Sequence, residues 1–77
     1  MAHVTIYTTP TCVYCKRAKE FFGAHNVVYE EKDVARDVAA RNEMVEKSGQ
    51  LGVPVIDVDG KIVVGFDESE LQTALKL

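Results

Sequence analysis

"TTPTCVYCKRAKEFF", residues 8–22, decides the fold of this 77-residue chain and holds both of its cysteines, Cys12 and Cys15. Just upstream, "HVTIYT", residues 3–8, is β-branched and aromatic, with Val4, Ile6 and Thr8 on one face. It reads as a strand. "TPT" breaks that strand. From Cys12 the period changes: Cys15, Ala18, Phe21, Phe22 and His25 recur at helical spacing, with Lys16, Lys19 and Glu20 on the outer face. A C-x-x-C pair therefore stands where a strand gives way to a helix.

Residues three apart on a helix share a face, so Cys12 and Cys15 can close or open a disulfide with little backbone change. Cys12, at the N-cap or first helical position, meets backbone N–H groups that have no partner within the helix. It also meets the positive end of the helix dipole. Lys16 and Arg17 add positive potential. Such surroundings favour the thiolate, the form that attacks disulfides. Cys15, one turn deeper, is suited to resolving the mixed disulfide.

A structural staple fits poorly, because so short a loop restrains the unfolded chain little. Zinc needs four ligands, and the two histidines, His3 and His25, head the strand and lie nearly three turns along the helix. No metal is expected. A C-x-x-C that follows a strand and opens a helix within a βαβ pattern points to redox chemistry.

The remaining elements extend that pattern. "VVYEEKDV", residues 27–34, begins as a second strand and turns polar. Residues 35–48 have no Gly or Pro and predict a helix with Val38 and Val45 inward, ended by Ser48 and Gly49. "VPVIDV", residues 53–58, and "KIVVGF" flank Asp59–Gly60, a two-residue hairpin signal. Asp67, with Glu70 three positions on, matches a helix start, and Leu71, Ala74 and Leu75 form its apolar stripe. The order β-α-β-α-β-β-α implies a parallel right-handed crossover followed by an antiparallel hairpin. The fold expected is α/β, a four-stranded mixed sheet flanked by three helices, as a single domain over residues 1–77.

The totals narrow the function. A net charge of −3 argues against nucleic acid as a partner. The charge is uneven: residues 1–29 sum to +2 from three bases and one acid, and residues 30–77 to −5 from six bases and eleven acids. The cysteines thus sit in the basic part of an acidic chain. No stretch approaches the roughly 20 apolar residues of a membrane span. The first residues lack a basic region followed by a long apolar run, so no signal peptide is expected, and the expected compartment is the cytoplasm. A monomer is the expected state.

The sequence resembles the glutaredoxins, a branch of the thioredoxin superfamily, from about Val4 to Leu75. "IYTTPTCVYCKRAKEFF" looks like the family's first strand, CPYC loop and first helix. "GVPVIDVDGKIVVGFDE" looks like its "TVP" segment, hairpin and glycine-plus-acidic turn. The resemblance implies the minimal thioredoxin fold and a dithiol–disulfide oxidoreductase, with Cys12 as nucleophile and Cys15 as resolving thiol. Substrates would be protein disulfides or glutathione mixed disulfides, with glutathione as cosubstrate and glutathione reductase behind it. Tyr14 would flank the thiolate. Val53, before a cis-proline at Pro54, would offer its backbone to an extended substrate chain. Gly65, Asp67 and Glu68 would lie at the glutathione end, where Asp67 would meet an α-amino group. Lys16 and Arg17 would lend electrostatic support.

Three departures bear on that expectation. Glutathione-using members often carry a lysine three residues before the nucleophile, where this chain has Thr9. The CPYC proline is Val13, which restores a backbone N–H. Some glutaredoxins lacking this proline hold a [2Fe–2S] cluster between two chains with glutathione, so a cluster carrier is one alternative. "VGFD" has one glycine where many glutaredoxins have two. In that it resembles the NrdH-type redoxins, which take electrons from thioredoxin reductase and serve ribonucleotide reductase, a second alternative. Their loops favour Val13 but not Tyr14.

Overall fold

The computed structural model describes residues 3–76. The domain expected over residues 1–77 therefore reaches, in Met1, Ala2 and Leu77, outside the described residues. The elements run β1 (Val4–Thr8), α1 (Val13–Ala24), β2 (Tyr29–Asp33), α2 (Val38–Ser48), β3 (Val55–Val58), β4 (Lys61–Val64) and α3 (Glu68–Leu75). The sheet order is β2-β1-β3-β4. β1 pairs parallel with β2 and antiparallel with β3, and β3 pairs antiparallel with β4. This is the expected α/β architecture, the minimal thioredoxin fold.

β1 is central, so both of its faces are covered and all five of its residues are buried. Val4 and Ile6 join Ala18, Phe21 and Phe22 of α1, Ile56 and Val58 of β3, Val63 of β4 and Leu71 of α3 in one apolar cluster. Tyr7 faces the other way, with Val34, Ala40, Met44 and Val55. Thus α1 and α3 cover one face and α2 the other. Burying a side chain the size of Phe22 or Met44 stabilises the fold by about 1.5–3 kcal/mol.

Several boundaries differ from those the sequence suggests. The second strand is Tyr29–Asp33, not 27–34: Val28 is exposed, and Val34 lies in a turn that bonds its amide to Thr8 O at 2.9 Å. β2 is an edge strand and carries Glu30, Glu31 and Lys32, which guard against edge pairing. The second helix starts at Val38, not at residue 35. Asp33 closes a turn that takes the amides of Ala35, Arg36 and Asp37, and Asp37 then caps Ala40 N at 3.1 Å. That start fixes the helix rotation. Ala40 and Met44 point inward with Val45 beside them, whereas Val38, expected inward, faces solvent.

The helix ends at Gly49, in the left-handed region at φ 75°, as the sequence predicts. The hairpin turn places Asp59 and Gly60 at positive φ, 51° and 92°, the conformation an Asp-Gly turn supplies. Its flanking strands are shorter than expected, Val55–Val58 and Lys61–Val64. His25 lies at the C-terminal cap of α1, exposed, with its ring 4.4 Å from that of Phe21. Phe66 packs against the α1-side core, its ring 6.0 Å from Phe21.

Candidate active site

β1 delivers the chain to the loop 9–12, and α1 takes it away. The loop is tight: Cys12 N donates to Thr9 O at 3.3 Å. Cys12 is the N-cap of α1, with extended backbone (φ −84°, ψ 114°). Its sulfur accepts the Cys15 amide at 3.2 Å, and Lys16 N bonds Cys12 O at 3.3 Å. One of the first-turn amides left without a helical partner is thus aimed at Cys12 Sγ. In thiol–disulfide exchange the attacking sulfur carries negative charge, which an amide in this position would favour.

Both cysteines are free thiols, and their surroundings differ. Cys12 is half-buried; Cys15 is 1% exposed. Burial, reinforced by its bond to Cys12, pushes the Cys15 thiol up to about 12, against a backbone hydrogen bond from Thr9 and the charge of Lys19. One thiol is reachable from solvent, and the other is buried and held protonated behind it.

A second loop comes alongside. The Val53–Pro54 peptide is cis, and Cys12 Sγ faces Val53 O at 3.8 Å. Pro54 is buried, and its carbonyl accepts the amide of Gly65 at 2.8 Å. Gly65 sits at φ 79°, which lets the chain leave β4 and turn toward α3. Cys12, Val53, Pro54 and Gly65, drawn from three separate stretches of sequence, are therefore joined by direct contacts. The loop before Val53 is pinned in turn: Ser48 Oγ bonds Met44 O and Gln50 O, and Gln50 Nε2 bonds Gly52 O at 3.3 Å.

The other expected site residues take varied places. Tyr14 is 58% exposed beside Cys12, with the Arg17 guanidinium 5.6 Å from its ring centroid. Val13, the first residue of α1, and Leu51, in the loop before Val53, add exposed apolar surface. Lys16 and Arg17 are exposed and, among the described residues, make no ion pair. Asp67 caps α3, accepting Glu70 N at 3.1 Å, and Glu68 follows in its first turn. Among the described residues neither acid is hydrogen-bonded to the cysteine loop; both follow Gly65 closely in sequence.

Among the described residues no three His, Cys, Asp or Glu side chains group as a metal set. His3 lies at the opposite end of β1, where its amide donates to Asp59 Oδ1 and its carbonyl accepts the Asp59 amide. Among the described residues, no helix is long and apolar enough to cross a membrane.

Two polar groups escape a sequence reading. On the α1 side, Lys19 Nζ lies 3.0 Å from Glu31 Oε2, which also accepts the Thr8 hydroxyl at 2.8 Å. On the α2 side, the buried Tyr7 hydroxyl bonds Glu43 and receives Lys47 Nζ at 3.2 Å. Lys47 also pairs with Asp57 at 2.8 Å, and Lys32 with Glu43 at 3.0 Å. The period-two alternation of β1 and β2 was the available signal, since it puts Thr8 and Glu31 on one face and Tyr7 and Lys32 on the other.

Comparison with known proteins agrees with this geometry. The family model described as Glutaredoxin matches residues 4–63. The chain is 42% identical over 73 residues to an uncharacterized glutaredoxin-like 8.6 kDa protein in the rubredoxin operon of Clostridium pasteurianum, covering 95% of this chain and 97% of that one. It is 40% identical over 68 residues to glutaredoxin 3 of Escherichia coli K12, covering 88% and 82%. Among solved structures, the T8A mutant of the thioredoxin-like protein BC3987 superposes with a TM-score of 0.91 at 38% identity, covering 99% and 97%. With the cysteine loop, the cis-proline and the sheet order all in agreement, the chain belongs to the glutaredoxin family of the thioredoxin superfamily.

Proposed function

We propose that the protein is a dithiol–disulfide oxidoreductase in which Cys12 attacks and Cys15 resolves. The observation that carries this is the asymmetry of the pair. A half-exposed sulfur receives a helix-start amide at 3.2 Å, and its partner one turn behind is buried and kept protonated. Cys12 attacks a substrate disulfide, forms a mixed disulfide and releases one substrate thiolate. Cys15 then attacks Cys12, frees the second substrate thiolate and leaves the Cys12–Cys15 disulfide.

The substrate chain lies extended along Val53, beside the nucleophile, with Tyr14 against the substrate's sulfur-bearing residue. Backbone pairing of this kind accepts many sequences, because it reads main chain more than side chains. Glutathione is the electron donor. Two molecules in turn reduce the Cys12–Cys15 disulfide. The chain from Gly65 to Glu68 holds the glutathione end, with Asp67 facing the α-amino group and the first turn of α3 facing a carboxylate. Lys16 and Arg17 supply cationic surface near Cys12 in place of the lysine absent at Thr9.

The test is a coupled assay following NADPH oxidation with a disulfide substrate. One arm contains glutathione and glutathione reductase; the other contains thioredoxin reductase alone. Turnover in the first arm supports glutathione as donor, and turnover only in the second overturns it. A Cys15→Ser variant traps substrate on Cys12; failure to trap on either sulfur overturns the assigned roles.

A further inference from the structure

Resolution by Cys15 raises a difficulty that the site as described does not answer. The sulfur that must attack is 1% exposed and holds its proton tightly. Something beside it has to favour the anion. The groups that bear on it come from two elements: Cys12 and the Thr9 amide from the loop 9–12, and Lys19 one turn further along α1. Lys19 is four residues from Cys15 and so shares its helix face.

Lys19 is also fixed in place. Its ammonium lies 3.0 Å from Glu31 Oε2 on β2. The same oxygen accepts the hydroxyl of Thr8, which is 2% exposed at the end of β1. Glu31 stays ionised, because Lys19 and Thr8 hold its carboxyl below the usual range. Glu31 in turn keeps Lys19 protonated. The anchor is partly solvated on the edge strand, and the cation it holds belongs to the residue four positions along α1 from the buried cysteine, on the same helix face.

We propose that Lys19, held by Glu31 and Thr8, is a positioning residue for the resolving step, keeping a positive charge beside Cys15 where its thiolate forms. The proposal rests on the roles assigned to Cys12 and Cys15 above. In the step, Cys15 gives its proton to a solvent base and its thiolate attacks Cys12 Sγ. The Cys15–Cys12 bond forms as the bond from Cys12 to the substrate sulfur breaks. In this step Cys15 is oxidised from thiolate to disulfide and the substrate sulfur is reduced, leaving as a thiolate that takes up a proton; over both exchange steps the two cysteines lose two electrons to the substrate disulfide. Lys19 neither gains nor loses a proton.

A surface ion pair that merely ties α1 to β2 would leave the kinetics of this step untouched, which gives the experiment its contrast. The reduced protein is mixed with dithiobis-nitrobenzoate, whose released aromatic thiol is coloured. The first release reports attack by Cys12, and the second reports resolution by Cys15. In Lys19→Met the second release is expected to slow about tenfold at neutral pH and its pH midpoint to rise by about one unit, as loss of a nearby opposite charge predicts. The first release should hold within about twofold, which also shows that the variant is folded. Lys19→Arg should restore most of the second rate. Lys61→Met, which removes a lysine at the far end of the β3–β4 hairpin, should leave both releases unchanged.

An unaltered second release in Lys19→Met overturns this proposal alone. Equal slowing in Lys61→Met also overturns it, in favour of a general charge effect. A single release from the unmodified protein overturns the roles of the two cysteines, and this proposal with them. Should Lys19→Met fail to fold, Lys19→Gln carries the same comparison.

Discussion

The amide of Cys15 stands 3.2 Å from the sulfur of Cys12, across the first turn of α1. The backbone of the buried cysteine thus serves the exposed one, while its own side chain stays out of reach. The two thiols are chemically unequal before any substrate arrives. Limited alkylation should expose the inequality. With burial pushing Cys15 up to about 12, its thiolate is roughly a 10⁻⁵ fraction at neutral pH. Iodoacetamide should modify Cys12 at least about a hundredfold faster, read by peptide mass spectrometry. Comparable labelling of both sulfurs would contradict the asymmetry.

Tyr7 should matter to stability rather than to redox chemistry. Its hydroxyl is bonded to Glu43 and Lys47, on the opposite face of the sheet from α1. Tyr7→Phe keeps the ring packing but removes a hydrogen bond from each of two charged groups, at a cost of about 1–3 kcal/mol. The urea midpoint should fall accordingly, and the alkylation rate of Cys12 should not change.

Acid should weaken the same cluster in a defined window. Bonds from Tyr7 and Lys32 hold the Glu43 carboxyl down at about 2. A carboxylate depressed in the folded state stabilises the fold at pH values above its ordinary range, and the benefit fades as pH falls through the folded value. The Glu43 side chain is 40% exposed, so solvent screens part of that benefit. Glu43→Gln should therefore be less stable than the unmodified protein at neutral pH. The two urea midpoints should converge between about pH 4.5 and pH 2. Parallel curves over that range would rule out Glu43 as a source of the acid sensitivity.

Asp67 offers a separation of structure from recognition. Its carboxylate caps α3 at Glu70 N, and removing a cap of this type costs about 1 kcal/mol. Asp67→Ala should lower stability by that amount. Asp67→Asn keeps an oxygen for the cap and loses the charge. It should hold its Tm while the KM for a glutathione mixed disulfide rises. An unchanged KM would leave Asp67 with capping alone.

Gly65 is placed at positive φ with open space where a Cβ would stand. Gly65→Ala should therefore destabilise through backbone conformation rather than collision, by about 1–2 kcal/mol. Because the Gly65 amide holds Pro54 O, turnover should fall in proportion to displacement of the Val53 backbone. Thermal melts and steady-state rates on the same preparation would check both.

The sequence revealed the fold through features that are local. The strand-to-helix switch at Cys12, the Asp59–Gly60 turn, the Gly49 stop and the Asp67 cap each depend on a few adjacent residues. The start of α2 was less legible, because Asp33 reaches forward to close a turn and Asp37, not the general run of helix formers, sets the first helical residue. That offset turned Val38 outward. At the site, Cys12 and Cys15 were legible from spacing, and Val53 and Pro54 from resemblance. The Thr8–Glu31–Lys19 and Tyr7–Glu43–Lys47–Asp57 groups were not, because each joins elements distant in sequence. The parallel register, with Ile6 opposite Glu31, brings the first together, and the packing of α2 across β1 and β3 brings the second.

The reactive loop is four residues long and fixed at both ends, by a strand buried on both faces and by the first turn of a helix packed on that strand. Such a tip behaves as a fixed contact rather than a hinge, because moving it would disturb the centre of the sheet. Little internal rearrangement is expected when Cys12 and Cys15 close or open a disulfide. In the proposed reaction, conformational accommodation would therefore fall to the partner. A disulfide in a pliable tail or an exposed loop can be brought to Cys12 in line with the attacking sulfur; one locked inside a rigid core cannot.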